Sequence, residues 1–76
     1  MHFVYSKHWL LKKKHRKTIN EEDIEFAILH SRIIKDRRWY DVLNAITRVP
    51  PSGRTLKVVY KRIGNTYKIL TAYWMD

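Results

Sequence analysis

Seventy-six residues with 45% hydrophobic and 13% aromatic content make one domain, residues 1–76, with ample material for a core, which excludes a disordered chain and a second domain. With no cysteine, and four histidines scattered without ligand spacing, a disulfide framework, a thiolate nucleophile and a metal site are excluded, and no cofactor is expected. Sixteen Lys and Arg against seven Asp and Glu give a formal charge of +9, which points to a polyanionic partner. No apolar run approaches the roughly 18 residues of a membrane span. The N-terminus MHFVYSKHW also lacks the apolar core of a signal peptide. A soluble, cytoplasmic protein is expected, with no membrane contact.

In chain order, His2 to Tyr5 is a short β-prone run, and Ser6 is a good N-cap for a helix from Lys7 to about Lys17. Trp9, Leu10 and Leu11 anchor that helix by a single turn. Its second half is the basic run KKKHRK, in which Lys12, Lys13, Lys14, Arg16 and Lys17 are candidates for gripping phosphates, although such a run can also be a solvated face. His8 lies at the strand–helix junction, where a lone histidine is more often a surface or capping residue than a catalytic one.

The second helix carries the clearest start signal: Asn20 as N-cap, Glu21, Glu22 and Asp23 in the first turn, and Ile19 with Ile24 as a hydrophobic staple. Ile24, Ala27 and Ile28 form an apolar stripe continued by Ser31 and Ile34 and widened by Phe26, Leu29 and Ile33, so the helix should end between Ser31 and Lys35. Residues 35–53 fit either a short helix or a strand. The strand is preferred, with Val42, Ala45 and Ile46 touching the core. Pro50-Pro51-Ser52-Gly53 then breaks the chain and delivers it to Arg54, and two glycines in all leave no phosphate-binding glycine loop.

Arg54 to Trp74 reads as a β-hairpin turning at Gly64-Asn65, two runs rich in Val, Ile, Thr and Tyr around a primed turn. The turn predicts a ladder of Ile63 to Thr66, Lys61 to Lys68, Val59 to Leu70, Lys57 to Ala72 and Leu56 to Tyr73. One face then collects Leu56, Val58, Tyr60, Tyr67, Ile69, Thr71 and Tyr73 as core. The other collects Lys57, Val59, Lys61, Lys68, Leu70, Ala72 and Trp74, a half-buried basic surface suited to an anion. Charge is segregated, since four of the seven acids lie in Glu21–Glu25 and residues 48–76 hold six bases and one acid. The predicted fold is α+β in the order β-α-α-β-β-β, with two N-terminal helices packed on one face of a small, mainly antiparallel sheet and the other face open.

The start FVYSKH, the IxxEDIxxAI helix opening of Ile19 to Ile28 and the ending GRTLKVVYKRIGNTYKILTAYW resemble small RelE-like domains related to the BrnT toxins of toxin–antitoxin systems. The resemblance covers both ends of the chain and leaves residues 35–51 aside. It implies a metal-independent endonuclease acting on messenger RNA, free or on the ribosome, and neutralised by a cognate antitoxin. Such an enzyme lets the 2′-hydroxyl attack the neighbouring phosphate while cations stabilise the phosphoryl oxygens. By that likeness Lys57, Lys61 or Arg54 would stabilise the phosphorane and Tyr73 would transfer a proton or stack on a base. Lys68 would bind the backbone, and His8 aligns with the relatives' position through a one-residue insertion. The predicted register places Tyr73 on the core face, away from Lys57 and Lys61, so a core role for it stays open. Two other readings compete: a non-catalytic nucleic-acid-binding module in which Trp9, Trp39, Trp74 or a tyrosine stacks on bases, and a small protein that meets an acidic protein partner.

Overall fold

The computed structural model describes residues 2–13, 18–35 and 41–75, which run β1 (His2–Tyr5), α1 (Lys7–Lys13), α2 (Glu21–His30), β2 (Arg32–Lys35), β3 (Leu43–Val49), β4 (Arg54–Ile63) and β5 (Thr66–Trp74). The class is α+β. The strands form one mixed sheet in the order β1-β5-β4-β3-β2, in which β1 is parallel to β5 and the other neighbours are antiparallel. No helix among the described residues is long and apolar enough to cross a membrane.

The hairpin turns where its residues require. Gly64 takes φ +59°, and among the described residues no non-glycine residue has a positive φ, so the turn is left-handed at its first central position only, as in a primed turn with glycine leading. Pairing follows the expected ladder from Ile63–Thr66 through Lys61–Lys68 to Tyr60–Ile69, and then slips. The next pairs are Val59–Thr71, Val58–Ala72, Lys57–Tyr73 and Leu56–Trp74, so Leu70 is the extra residue of a β-bulge. A slip of one residue exchanges the two faces of everything beyond it. Ala72 is therefore fully buried in the core with Trp74 packed against it, while Thr71 and Tyr73, expected in the core, lie on the opposite face.

Ser6 explains why the bulge sits at Leu70. Its N–H donates to the Ile69 carbonyl (2.9 Å) and its Oγ donates to the Leu70 carbonyl (3.1 Å). The same Oγ accepts the N–H of Trp9 (3.1 Å), the N-cap bond of α1. One serine thus starts a helix, continues the β1–β5 ladder at Ile69 and satisfies the Leu70 carbonyl, which a continuous ladder would have given to β4.

Trp9 of α1 and Ile24, Ala27 and Ile28 of α2 join Leu56, Val58, Tyr60 and Ile69 in one buried cluster. Ile19 and Ile24, the staple residues, are both buried. At the α2 N-terminus the Asn20 N–H donates to Asp23 Oδ2 (3.2 Å), half of a capping box. The helix ends at His30, earlier than its apolar stripe suggested: the Ser31 N–H closes on the Ala27 carbonyl (3.1 Å), and Ser31 is extended (φ −104°, ψ 163°). Ile33 and Ile34 belong to strand β2 and not to the helix stripe. Two adjacent β-branched residues satisfy either period, and pairing with β3 decides between them. The strand preferred for residues 35–53 exists as β3, and Ala45 is core. Ile46, however, lies opposite Lys57 on the other face, and Val42 is buried beside Val59 and Leu70, outside the helix-side cluster.

Candidate nucleic-acid interface

The sheet face away from the core is built by strand alternation. β4 contributes Thr55, Lys57, Val59 and Lys61; β3 contributes Ile46 and Arg48; β5 contributes Lys68, Leu70, Thr71 and Tyr73. Residues 43–74 contain six Lys and Arg and no Asp or Glu, so the strands themselves put only positive charge on this side and its edges. The four acids of residues 21–25 belong to the start of α2.

Two of the expected site residues meet here. Lys57 and Tyr73 are directly paired across the ladder, with Lys57 Nζ 5.8 Å from the centroid of the Tyr73 ring, a cation over an aromatic face. Lys61 is further along the same strand face and opposite Lys68. Like charges so placed repel, and Asp41 relieves them: its Oδ2 is 3.3 Å from Lys61 Nζ. Both side chains are more than a third exposed, so the pair adds little stability, about 0–1 kcal/mol, but it does position the lysine. Val42, Val59, Leu70 and Lys61 line a shallow hollow of ≈ 220 Å³ beside this pair.

The other expected residues are elsewhere. Arg54 has the parity of Leu56 and Val58 and so belongs to the helix side. Its guanidinium lies 4.5 Å from the centroid of the Trp74 ring, and Trp74 Nε1 donates to Thr18 Oγ1 (2.9 Å). Arg54 and Trp74 line a separate cleft of ≈ 280 Å³ with Thr18, Asp23 and Ser52. His8 is exposed on α1. Lys12 and Lys13 close α1, whereas Lys14, Arg16, Lys17 and Trp39 lie outside the described residues. Trp9, offered as a stacking residue, is fully buried and cannot meet a base.

Two tyrosines are held in their neutral form. Burial, with the carboxylates of Glu21 and Glu25, pushes Tyr5 up to about 12. Burial, reinforced by Tyr67 and opposed by Arg62, raises Tyr60. Both are on the core face. Among the described residues no group of three His, Asp or Glu side chains could hold a metal ion.

Sequence reasoning missed Asp41, Val42 and Ile46 as members of this face and assigned Tyr73 to the wrong side. Asp41 carried a usable signal, since it is the one acid immediately before a run of 34 residues that contains none. Compared with protein-family models, curated proteins and solved structures, the chain matches none.

Proposed function

We propose that the open sheet face binds single-stranded RNA and that the chain is a toxin-like, metal-independent RNA endonuclease of RelE-like type, an mRNA interferase. The juxtaposition of Lys57 and Tyr73 on an otherwise basic face carries this reading. In the reaction the 2′-oxygen forms a bond to phosphorus and loses its proton to solvent, while the bond from phosphorus to the 5′-oxygen breaks. The products are a 2′,3′-cyclic phosphate and a 5′-hydroxyl. The Lys57 ammonium offsets charge developing on the phosphoryl oxygens, and the Tyr73 hydroxyl supplies the proton that the leaving oxygen needs. Messenger RNA, free or on the ribosome, is the substrate in this reading. A cognate antitoxin with an acidic surface is the partner that silences it, and the two helices belong together on the far side of the sheet.

A second reading, a non-catalytic nucleic-acid-binding module, is favoured by a specific observation: Arg54 is on the other face and Lys61 is already paired with Asp41, which leaves Lys57 with fewer cationic helpers. Expression in a bacterial host, followed by incubation of purified protein with messenger RNA with and without ribosomes, separates the two. Toxicity and new RNA ends are expected. RNA binding with no cleavage under either condition leaves the binding module, and absence of both leaves a protein that meets an acidic partner.

A further inference from the structure

The β5 bulge has a second effect on the open face. Because Leu70 is extra, Leu70 and Thr71 follow one another on the same side, opposite the single residue Val59. Val42, only 3% exposed, closes the far wall. The resulting hollow of ≈ 220 Å³ has an aliphatic lining from Val42, Val59 and Leu70 and one polar wall, Lys61. At its rim the Lys61 ammonium and the Asp41 carboxylate stand 3.3 Å apart, so a donor and an acceptor are side by side.

We propose that this hollow receives one unpaired base of a single-stranded RNA and that the Lys61–Asp41 pair selects bases carrying a carbonyl next to a ring N–H. The proposal rests on the reading of the open face as an RNA interface and adds which RNA it takes. The occupant follows from the lining. An aliphatic wall cannot solvate a phosphate but can cover the flat face of a base, and the lysines around it attract a polyanion. Lys57 and Lys61 lie about 6.6 Å to either side of Val59 along β4, so a strand crossing the hollow meets a cation on each side of the inserted base. A base within a duplex is stacked and cannot enter, which restricts the site to single strands, loops and bulges. At the rim, ammonium donates to a carbonyl oxygen and carboxylate accepts an adjacent N–H. Uracil and guanine present that pair in adjacent positions, whereas adenine has no carbonyl.

Binding of labelled oligonucleotides by fluorescence anisotropy tests this. Oligo-U is expected to bind on the order of 10-fold more tightly than oligo-A, and more tightly than an oligo-U of equal charge carrying central abasic positions. Asp41→Asn, at a side chain 64% exposed and so compatible with folding, should erase the difference between U and A while raising affinity for both, because it removes a negative charge from the face. Equal binding of intact and abasic strands, or an unchanged preference in Asp41→Asn, overturns the base site and leaves the RNA interface standing. Failure of every oligonucleotide to bind at low salt, with polyglutamate bound instead, overturns the interface reading as well.

Discussion

Lys57 faces Tyr73 across the β4–β5 ladder because Leu70 is bulged out of the pairing between Ile69 and Thr71. Were Leu70 paired with Val59 in a regular ladder, Lys57 would lie opposite Ala72 and Tyr73 would point into the core. Two side chains with complementary chemistry are thus brought together by one irregularity in a strand. Deleting Leu70 should remove the bulge while keeping Val59 opposite Thr71 and Lys57 opposite Tyr73, because the remaining β5 residues then follow Ile69 in a regular ladder. RNA cleavage should survive in this variant and the Tyr73 ring should stay on the open face, which solvent-quenching of tyrosine fluorescence against a Tyr73→Phe control would detect; loss of cleavage would show that the bulge acts beyond the pairing it sets.

Tyr73→Phe keeps the ring beside Lys57 and removes only the hydroxyl. Cleavage of messenger RNA should fall on the order of 100-fold with the thermal midpoint and RNA affinity nearly unchanged. Full activity in this variant would assign the residue to packing alone.

Lys57→Gln should likewise reduce cleavage on the order of 100-fold, but weaken binding only by about one phosphate contact. In a plot of log affinity against log salt the slope should become shallower by about 0.7–0.9. Changing Lys12, Lys13 and Lys14 together to Gln should flatten the slope further without a specific effect on rate. Binding that ignores salt would contradict both expectations.

Ser6→Ala removes the α1 cap and the hydrogen bond to the Leu70 carbonyl at once. A loss of about 1–2 kcal/mol in denaturant unfolding is expected. Activity should fall more than stability alone explains, since the bulge positions Tyr73; Ser6→Thr, which keeps a hydroxyl, should recover part of it. Asp23→Ala, which deletes the acceptor of the Asn20 N–H and a carboxylate at the α2 N-terminus, should cost about 0.5–1 kcal/mol with no effect on RNA.

Stability should fall at alkaline pH. Tyr5 keeps its proton in the folded chain up to about 12, against an ordinary value of 10.0, so above pH 10 the unfolded chain binds fewer protons than the folded one. The stabilisation is complete below pH 10 and is lost as pH rises towards 12. Urea midpoints measured from pH 8 to 12 should decline over that window, and the decline should be shallower in Tyr5→Phe.

Much of this architecture is written locally in the chain. Gly64-Asn65 marks the turn, the acids after Asn20 mark the start of α2, and alternation along β4 separates Lys57, Val59 and Lys61 from Leu56, Val58 and Tyr60. The same alternation separates Arg54 from the lysines, so the resemblance that grouped them ran against a period that was already legible. The bulge was not legible, because its cause is a hydrogen bond between residues 64 positions apart. Strand β2 escaped for a related reason: Ile33 and Ile34 suit a helix stripe and a strand equally, and only their partners in β3 decide. The ion pair of Asp41 with Lys61 likewise depends on which strands become neighbours.

The parallel pairing of β1 with β5 has a consequence for how the protein is made. Residues 2–5 leave the ribosome more than sixty residues before their partners, residues 66–69. No arrangement of the nascent chain can close the sheet before then, so β1, and Ser6 behind it, wait with their β5 hydrogen bonds open until those partners have been made. The bulge that aligns Lys57 with Tyr73 needs Ser6 and Leu70 together, and it therefore cannot form before Leu70 has been made. A chain made only as far as Ile69 carries every lysine of the open face and still lacks the geometry that Ser6 and Leu70 set together.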